Sequence, residues 1–256
     1  MRWEELTTAD FPAAVEHAEG VCLLPLGVIE PHSDHLPLVA DLSAPREIAI
    51  RAAKQEPAVI FPWYYFGQVL EAKHKPGTIA IGGDLILRLL DNTCAEIARN
   101  GLKKILIVNG HGGNIDFLGF FLRTTLEEHR DFTVYVSNWW QDLQVEGAQR
   151  IGHAGEGETS GQLAVNPELV KMDQVPPPED GQPLNRYAHL PGLVTATNWY
   201  ANYPNQYAGD GSRGTVEQGE ELIAAGVEKL VKQIRAVKQD KAVRQLYEEF
   251  MGRTQH

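Results

Sequence analysis

The sequence predicts an α/β fold, a three-layer α/β/α sandwich with a mainly parallel sheet. Three observations lead there. Short apolar runs recur without polar alternation, as strands covered on both faces require. Stretches with apolar residues at helical spacing separate them. The order strand, loop, helix, strand then repeats, and parallel strands joined by helical crossovers produce that order.

Val21 to Leu26 is the first apolar run and stops at Gly27. Ser43 reads as the N-cap of a helix through Arg46, Ile50 and Ala53. Ala58 to Phe61 is a second strand, halted by Pro62. Asp84 reads as the cap of a helix that turns Ile86, Leu90, Cys94 and Ile97 to one side and ends at Gly101. Lys104 to Val108 is the clearest strand, and a loop, Asn109 to Asn114, joins it to a helix with Phe117, Phe121 and Leu126 inward. Thr133 to Ser137 is a fourth strand. Residues 173–215, with Pro176, Pro177 and Pro178 in a row, break the pattern and suit a lid or contact surface. A last helix runs from Glu217 with Ile223, Val227, Leu230, Ile234 and Val237 along one face.

Composition narrows the function classes. The 256 residues are 43% hydrophobic and 22% charged, which suits one globular domain over 1–256. A net charge of −11 repels phosphate backbones and anionic lipid, so neither nucleic acid nor a membrane is an expected partner. Cys22 and Cys94 form no CxxC and sit in apolar patterns, as buried thiols do. Without a disulfide framework, and with an acidic start (MRWEELTTADF) unlike a secretory signal, a cytoplasmic location is expected. No apolar run approaches the ~20 residues of a membrane span.

Chemistry concentrates in three loops. Glu30-Pro31-His32-Ser33-Asp34-His35, followed by Asp41, begins past the carboxyl end of the first strand, where open α/β sheets bind ligands. Glu30 and His32 are two apart, so an extended backbone turns both to one side, and Asp41 can return across a loop to join them. Asn109-Gly110-His111-Gly112-Gly113-Asn114 follows the third strand, and its glycines let backbone approach a ligand closely. The helix beyond offers free N–H groups to an oxyanion. Gly152-His153-Ala154-Gly155-Glu156-Gly157-Glu158 follows the fourth strand region, with His153 and Glu158 as an acid/base pair or further metal ligands. Each loop alone also fits a solvated or capping turn, with Thr159 and Ser160 as caps in the third. All three at one edge point to a metal site built from carboxylate and imidazole.

These residues carry a family resemblance. LPLGVIEPHSDHLPLVAD, HKPGTIAI, IVNGHGGN, GHAGEGETS and GDGSRGTVEQGEEL resemble, in order, the motifs of the creatininase (creatinine amidohydrolase) family across most of the chain. The resemblance implies a hydrolase with two divalent metal ions (zinc, manganese or iron). Glu30, Asp41 and His111 would hold one ion, and His32 with a bridging Asp41 the second. His153 and Glu158 would lie beside the reacting carbonyl, where Gly112 and Gly113 N–H groups stabilise the oxyanion. His35 would orient a ligand or water, and His74 would touch substrate. In creatininase proper a glutamate stands at the position of Gly113, so Glu158 is the candidate replacement and creatinine is not the expected substrate. The implied reaction is hydrolysis of a C–N amide, cyclic amide or formamide bond of a small molecule by a metal-bound hydroxide. The alternatives are a C–C hydrolase of a cyclic diketone and a non-catalytic metal-binding assembly subunit. The family also implies a homo-oligomer, often a hexamer.

Overall fold

The structure is a computed structural model and describes residues 1–143, 145 and 152–254. Four parallel strands run in the order β2-β1-β3-β4: β1 (Val21–Leu26), β2 (Val59–Ile60), β3 (Lys104–Asn109) and β4 (Thr133–Asn138). Strand β1 pairs with β3 from Val21↔Lys104 to Leu26↔Asn109, so both strands end at one edge. Because β2 lies to one side of β1 and β3 to the other, the chain reverses its winding between β1 and β3. Loops leaving these two strands diverge and open a crevice.

Side chains along β1 and β3 alternate between two cores. Val21, Leu23, Leu106 and Val108 pack against α2 (Ala40–Gln55) and α7 (Val216–Gln239). Cys22, Leu24, Leu26, Ile105 and Ile107 pack against α1 (Phe11–His17), α3 (Gly83–Arg99) and α4 (Asn114–Thr124). The sheet is thus covered on both faces, as the unbroken apolar runs predict. α5 (Glu156–Val165) packs beside α2 and α7, while α6 (Asn198–Asn202) and α8 (Ala242–Arg253) lie outside this core. Among the described residues no helix is long and apolar enough to cross a membrane. Cys22 and Cys94 are buried free thiols, and burial pushes the pKa of both up.

Several boundaries differ from the expectation. β2 is only Val59–Ile60: Pro25, paired with Val108 of β3 on its other side, has no N–H to offer the Phe61 carbonyl, which Arg46 Nη1 bonds instead, at 3.3 Å. Ser43 caps nothing: α2 starts at Ala40, and Ser43 Oγ donates back to Val39 O and across to Gln162 Oε1. Asp84 lies inside the first turn of α3, behind Gly82, and makes no capping bond. Leu126 is exposed beyond the end of α4, and Leu118 takes the inward place beside Phe121. The long irregular segment 173–215 carries only single 3-10 turns and α6.

Candidate functional site

Asp41 is placed by helix α2 rather than by a loop. It lies in the first turn, where the positive end of the helix favours a carboxylate. Two glycines let this turn press onto the sheet edge. A Cβ at Gly110 would lie 1.8 Å from the Asp41 carbonyl oxygen, and one at Gly27 would lie 2.7 Å from it. Only bare backbone fits there. Pro45, inside α2, has no N–H to claim that carbonyl.

The Asp41 side chain faces two groups of donors. Its Oδ2 lies 2.9 Å from His111 Nδ1, which is also 3.0 Å from Glu30 Oε1. Its Oδ1 lies 3.2 Å from His32 Nε2, which is 3.5 Å from Glu158 Oε2. Glu30, Asp41 and His111 therefore form one set able to hold a metal ion, and His32, Asp41 and Glu158 a second; Glu30, His32 and His153 make a third grouping. Glu30 Oε1 and Asp41 Oδ2 are buried and have no hydrogen-bond partner among the described residues despite their closeness to His111. Buried carboxylate oxygens left in that state fit an absent cation, and the oxygen and imidazole donors suit a divalent metal.

The electrostatics of the site without metal agree. Burial opposes charge on His32, but the carboxylates of Asp41 and Glu158 outweigh it and raise its pKa to about 10. His111 is likewise opposed by burial and raised by Glu30 and Asp41. Burial works against the charge on Asp41 too, yet the two histidines hold its carboxyl far below the ordinary range. Burial raises Glu30, and it raises Glu158 to about 7. In each case protons or burial compensate a charge balance that a cation would set.

The remaining expected residues have distinct surroundings. His153 stacks on His32, ring centroids 4.3 Å apart, and its Nε2 meets the Pro31 carbonyl at 3.0 Å. Burial and the neighbouring His32 lower its pKa to about 3. His35 bonds Thr159 Oγ1 through Nε2 at 2.9 Å and meets Tyr207 edge-on. It thus fastens the first turn of α5, which carries Glu158. Burial lowers its pKa to about 4. Thr159 and Ser160 lie within α5, behind its N-cap Gly155, so the capping reading of that loop fails. His74 is not at the cavity. Its ring nitrogens face the backbone carbonyls of Glu71 and Pro204, tying the turn before PGT to the irregular segment. Asp34 is exposed and outside the metal-binding groups.

Two cavities meet at the cluster. One of about 760 Å³ is lined by Glu30, His111, Gly112, Gly113, His153 and Trp199, among others. A second of about 300 Å³ is walled by Trp139 and Trp140 and shares Asp41, Gly112 and Glu158 with the first. Sequence reasoning missed the frame of this site. Asn109 Oδ1 accepts from the His111 backbone N–H and from Asn114 Nδ2, while its Nδ2 donates to His111 O and Asn138 Oδ1. Asn114 Oδ1 accepts from Gln68 N. Glu71 also lines the larger cavity, 3.7 Å from His111 Nε2. The asparagines closing each end of NGHGGN were the available signal; Gln68 and Glu71 carried none.

Fold and site together define an α/β protein with a buried carboxylate–histidine centre at the sheet's switch point. The Creatininase (creatinine amidohydrolase) family profile matches residues 4–234, and the chain belongs to the creatininase family, whose members hydrolyse amide bonds. A creatinine amidohydrolase of Pseudomonas putida is 31% identical over 192 residues, covering 67% of this chain and 74% of that protein. A mycofactocin precursor peptide peptidase of Mycobacterium ulcerans is 30% identical over 225 residues, 83% of each. A putative creatinine amidohydrolase from Bacteroides fragilis superposes with a TM-score of 0.74 at 27% identity, covering 87% of this chain and 91% of that one. Solved creatininases include manganese and zinc forms.

Proposed function

We propose that this chain is a metal-dependent amidohydrolase that cleaves a C–N amide bond of a small molecule at a two-metal centre bridged by Asp41. The observation that carries the reading is the division of Asp41's two oxygens between two donor sets, one with Glu30 and His111, the other with His32 and Glu158. Glu158 then takes the part of the carboxylate absent at Gly113. Divalent metal held by these residues would polarise the scissile carbonyl and lower the pKa of a bound water.

The chain's own residues do the rest. Gly112 and Gly113 line the larger cavity just before α4, and backbone N–H groups at a helix start can stabilise a developing oxyanion. His153 lines the larger cavity and donates its Nε2–H to Pro31 O, which leaves Nδ1 unprotonated, able to take a proton from the attacking water and return it to the leaving nitrogen. Trp199 meets the His153 ring edge-on at 5.3 Å and keeps water from that side.

The test is a panel of amides, formamides, lactams, short peptides and a cyclic diketone, run on zinc- or manganese-loaded protein. A new primary amine signal together with a new carboxylate supports C–N cleavage. A carboxylate alone, from the diketone, points to C–C hydrolysis. Inertness at full metal loading would favour a metal-binding assembly role and sink the enzyme reading.

A further inference from the structure

His111 has two ring nitrogens with different tasks. Nδ1 faces Glu30 and Asp41 at 3.0 and 2.9 Å, so it is the nitrogen a metal would use. The proton must then sit on Nε2, on the far side of the ring. Nε2 is buried and has no hydrogen-bond partner among the described residues, and a buried N–H without an acceptor is unfavourable. Glu71 Oε1, at 3.7 Å, is a carboxylate oxygen near it. Its side chain is 22% exposed, and a movement of roughly 0.8 Å brings it to hydrogen-bond distance.

Glu71 is held in readiness. Gln68 Nε2 donates to Glu71 Oε1 at 3.3 Å and to Gly113 O at 3.2 Å, and Gln68 Oε1 accepts from Leu70 N at 2.8 Å. The space it uses exists because residue 113 is glycine. A Cβ there would lie 2.4 Å from Glu71 Oε1 and 2.5 Å from His111 Nε2. A side chain at 113 and this carboxylate exclude one another.

We propose that Glu71 is a positioning residue: it accepts the Nε2 proton of His111, fixes the tautomer that leaves Nδ1 for the metal, and depends on Gly113 for its place. This rests on the metal-centre reading above. It extends that reading to a residue that contributes no metal ligand atom and to a glycine whose missing side chain is functional.

Zinc affinity, measured by chelator competition, tests it without substrate. Glu71→Ala should weaken zinc binding about 10–100-fold, the range found when an acceptor behind a ligating histidine is lost. Glu71→Gln keeps an acceptor oxygen and should stay within about threefold of the parent protein. Gly113→Ala should weaken binding as Glu71→Ala does, and the double variant should be no weaker than either single one. The metal-free forms of the Glu71 variants should unfold at the parent's temperature, because the role is in the site and not in the fold. Unchanged affinity in Glu71→Ala would overturn the inference alone. So would Glu71→Gln behaving like Glu71→Ala, since charge rather than orientation would then count, or additive loss in the double variant. A protein that takes up no zinc at all overturns the metal-centre reading as well.

Discussion

A carboxylate is the side chain able to serve two cations about 3.5–4 Å apart, because it has two charged oxygens. Asp41 has them pointing at different histidines. Asp41→Asn keeps the shape, removes the charge and turns one oxygen into an N–H donor. Metal content measured on purified protein should fall to one ion or none, and turnover should vanish; two ions with full activity would end the site assignment. Glu158→Gln separates two roles. Glu158 Oε2 already accepts the Ala154 N–H at 2.6 Å while facing His32. As a ligand, its loss should cost about one metal. Metal content near two with a rate about 10²–10⁴-fold lower would assign it to acid/base work instead. Glu30, His32, Asp41, His111, His153 and Glu158 could be singled out because chemistry-bearing side chains sit on three loops beyond apolar strands or in the first helical turn after them. Glu71 and Gln68 were not, because their value comes from how a distant turn packs onto the NGHGGN loop. His35 and His74 were readable as histidines but not as neighbours of Thr159 and Pro204.

At the scale of elements, the strands and the helices that cover them were legible because both cores need the same periodicities that the sequence displays. Helices α1 and α8 were not. α1 buries only Ala14, and α8 buries no residue, so neither writes a core-facing stripe. α8 is attached by polar contacts: Tyr247 Oη donates to Glu128 O at 2.9 Å, and Arg244 reaches Arg130 O. The start of α2 was misplaced because Ser43 resembles a cap, whereas tertiary contact at Gly27 and Gly110 sets where the helix begins. That contact predicts a contrast between glycines. Gly110→Ala drives a methyl into the Asp41 carbonyl and should destabilise by about 3 kcal/mol or more, with loss of metal as Asp41 shifts. A Cβ on Gly119, within α4, meets nothing within 4 Å. Gly119→Ala should stabilise by about 0.4–1 kcal/mol by restricting the unfolded chain. Chemical denaturation of both variants checks the signs, and equal effects would mean that the close approach does not constrain α2.

At the scale of the whole molecule, the irregular segment exposes apolar side chains, with Leu193 at 64% and Val194 at 85%. Such a patch suits contact between copies of the chain. Sedimentation should return a multiple of 28.4 kDa, and a monomer mass would remove the assembly proposal. The metal centre should also hold the fold together. Its residues come from the loop after β1, the first turn of α2, the loop after β3 and the first turn of α5, so one ion cluster ties four parts of the chain across the sheet's crevice. The unfolded chain cannot present them together, and binding free energy is therefore folding free energy. At free metal a hundredfold above its dissociation constant the gain is about 2.7 kcal/mol. For a chain of this size that corresponds to a midpoint shift of roughly 5–11 °C. Chelation at fixed protein concentration should lower the unfolding temperature by that amount, and restoring zinc or manganese should return it. Asp41→Asn should show a smaller difference or none, because its centre holds one ion at most. An unfolding temperature indifferent to chelation in the parent protein would mean that the buried carboxylates are satisfied without a cation.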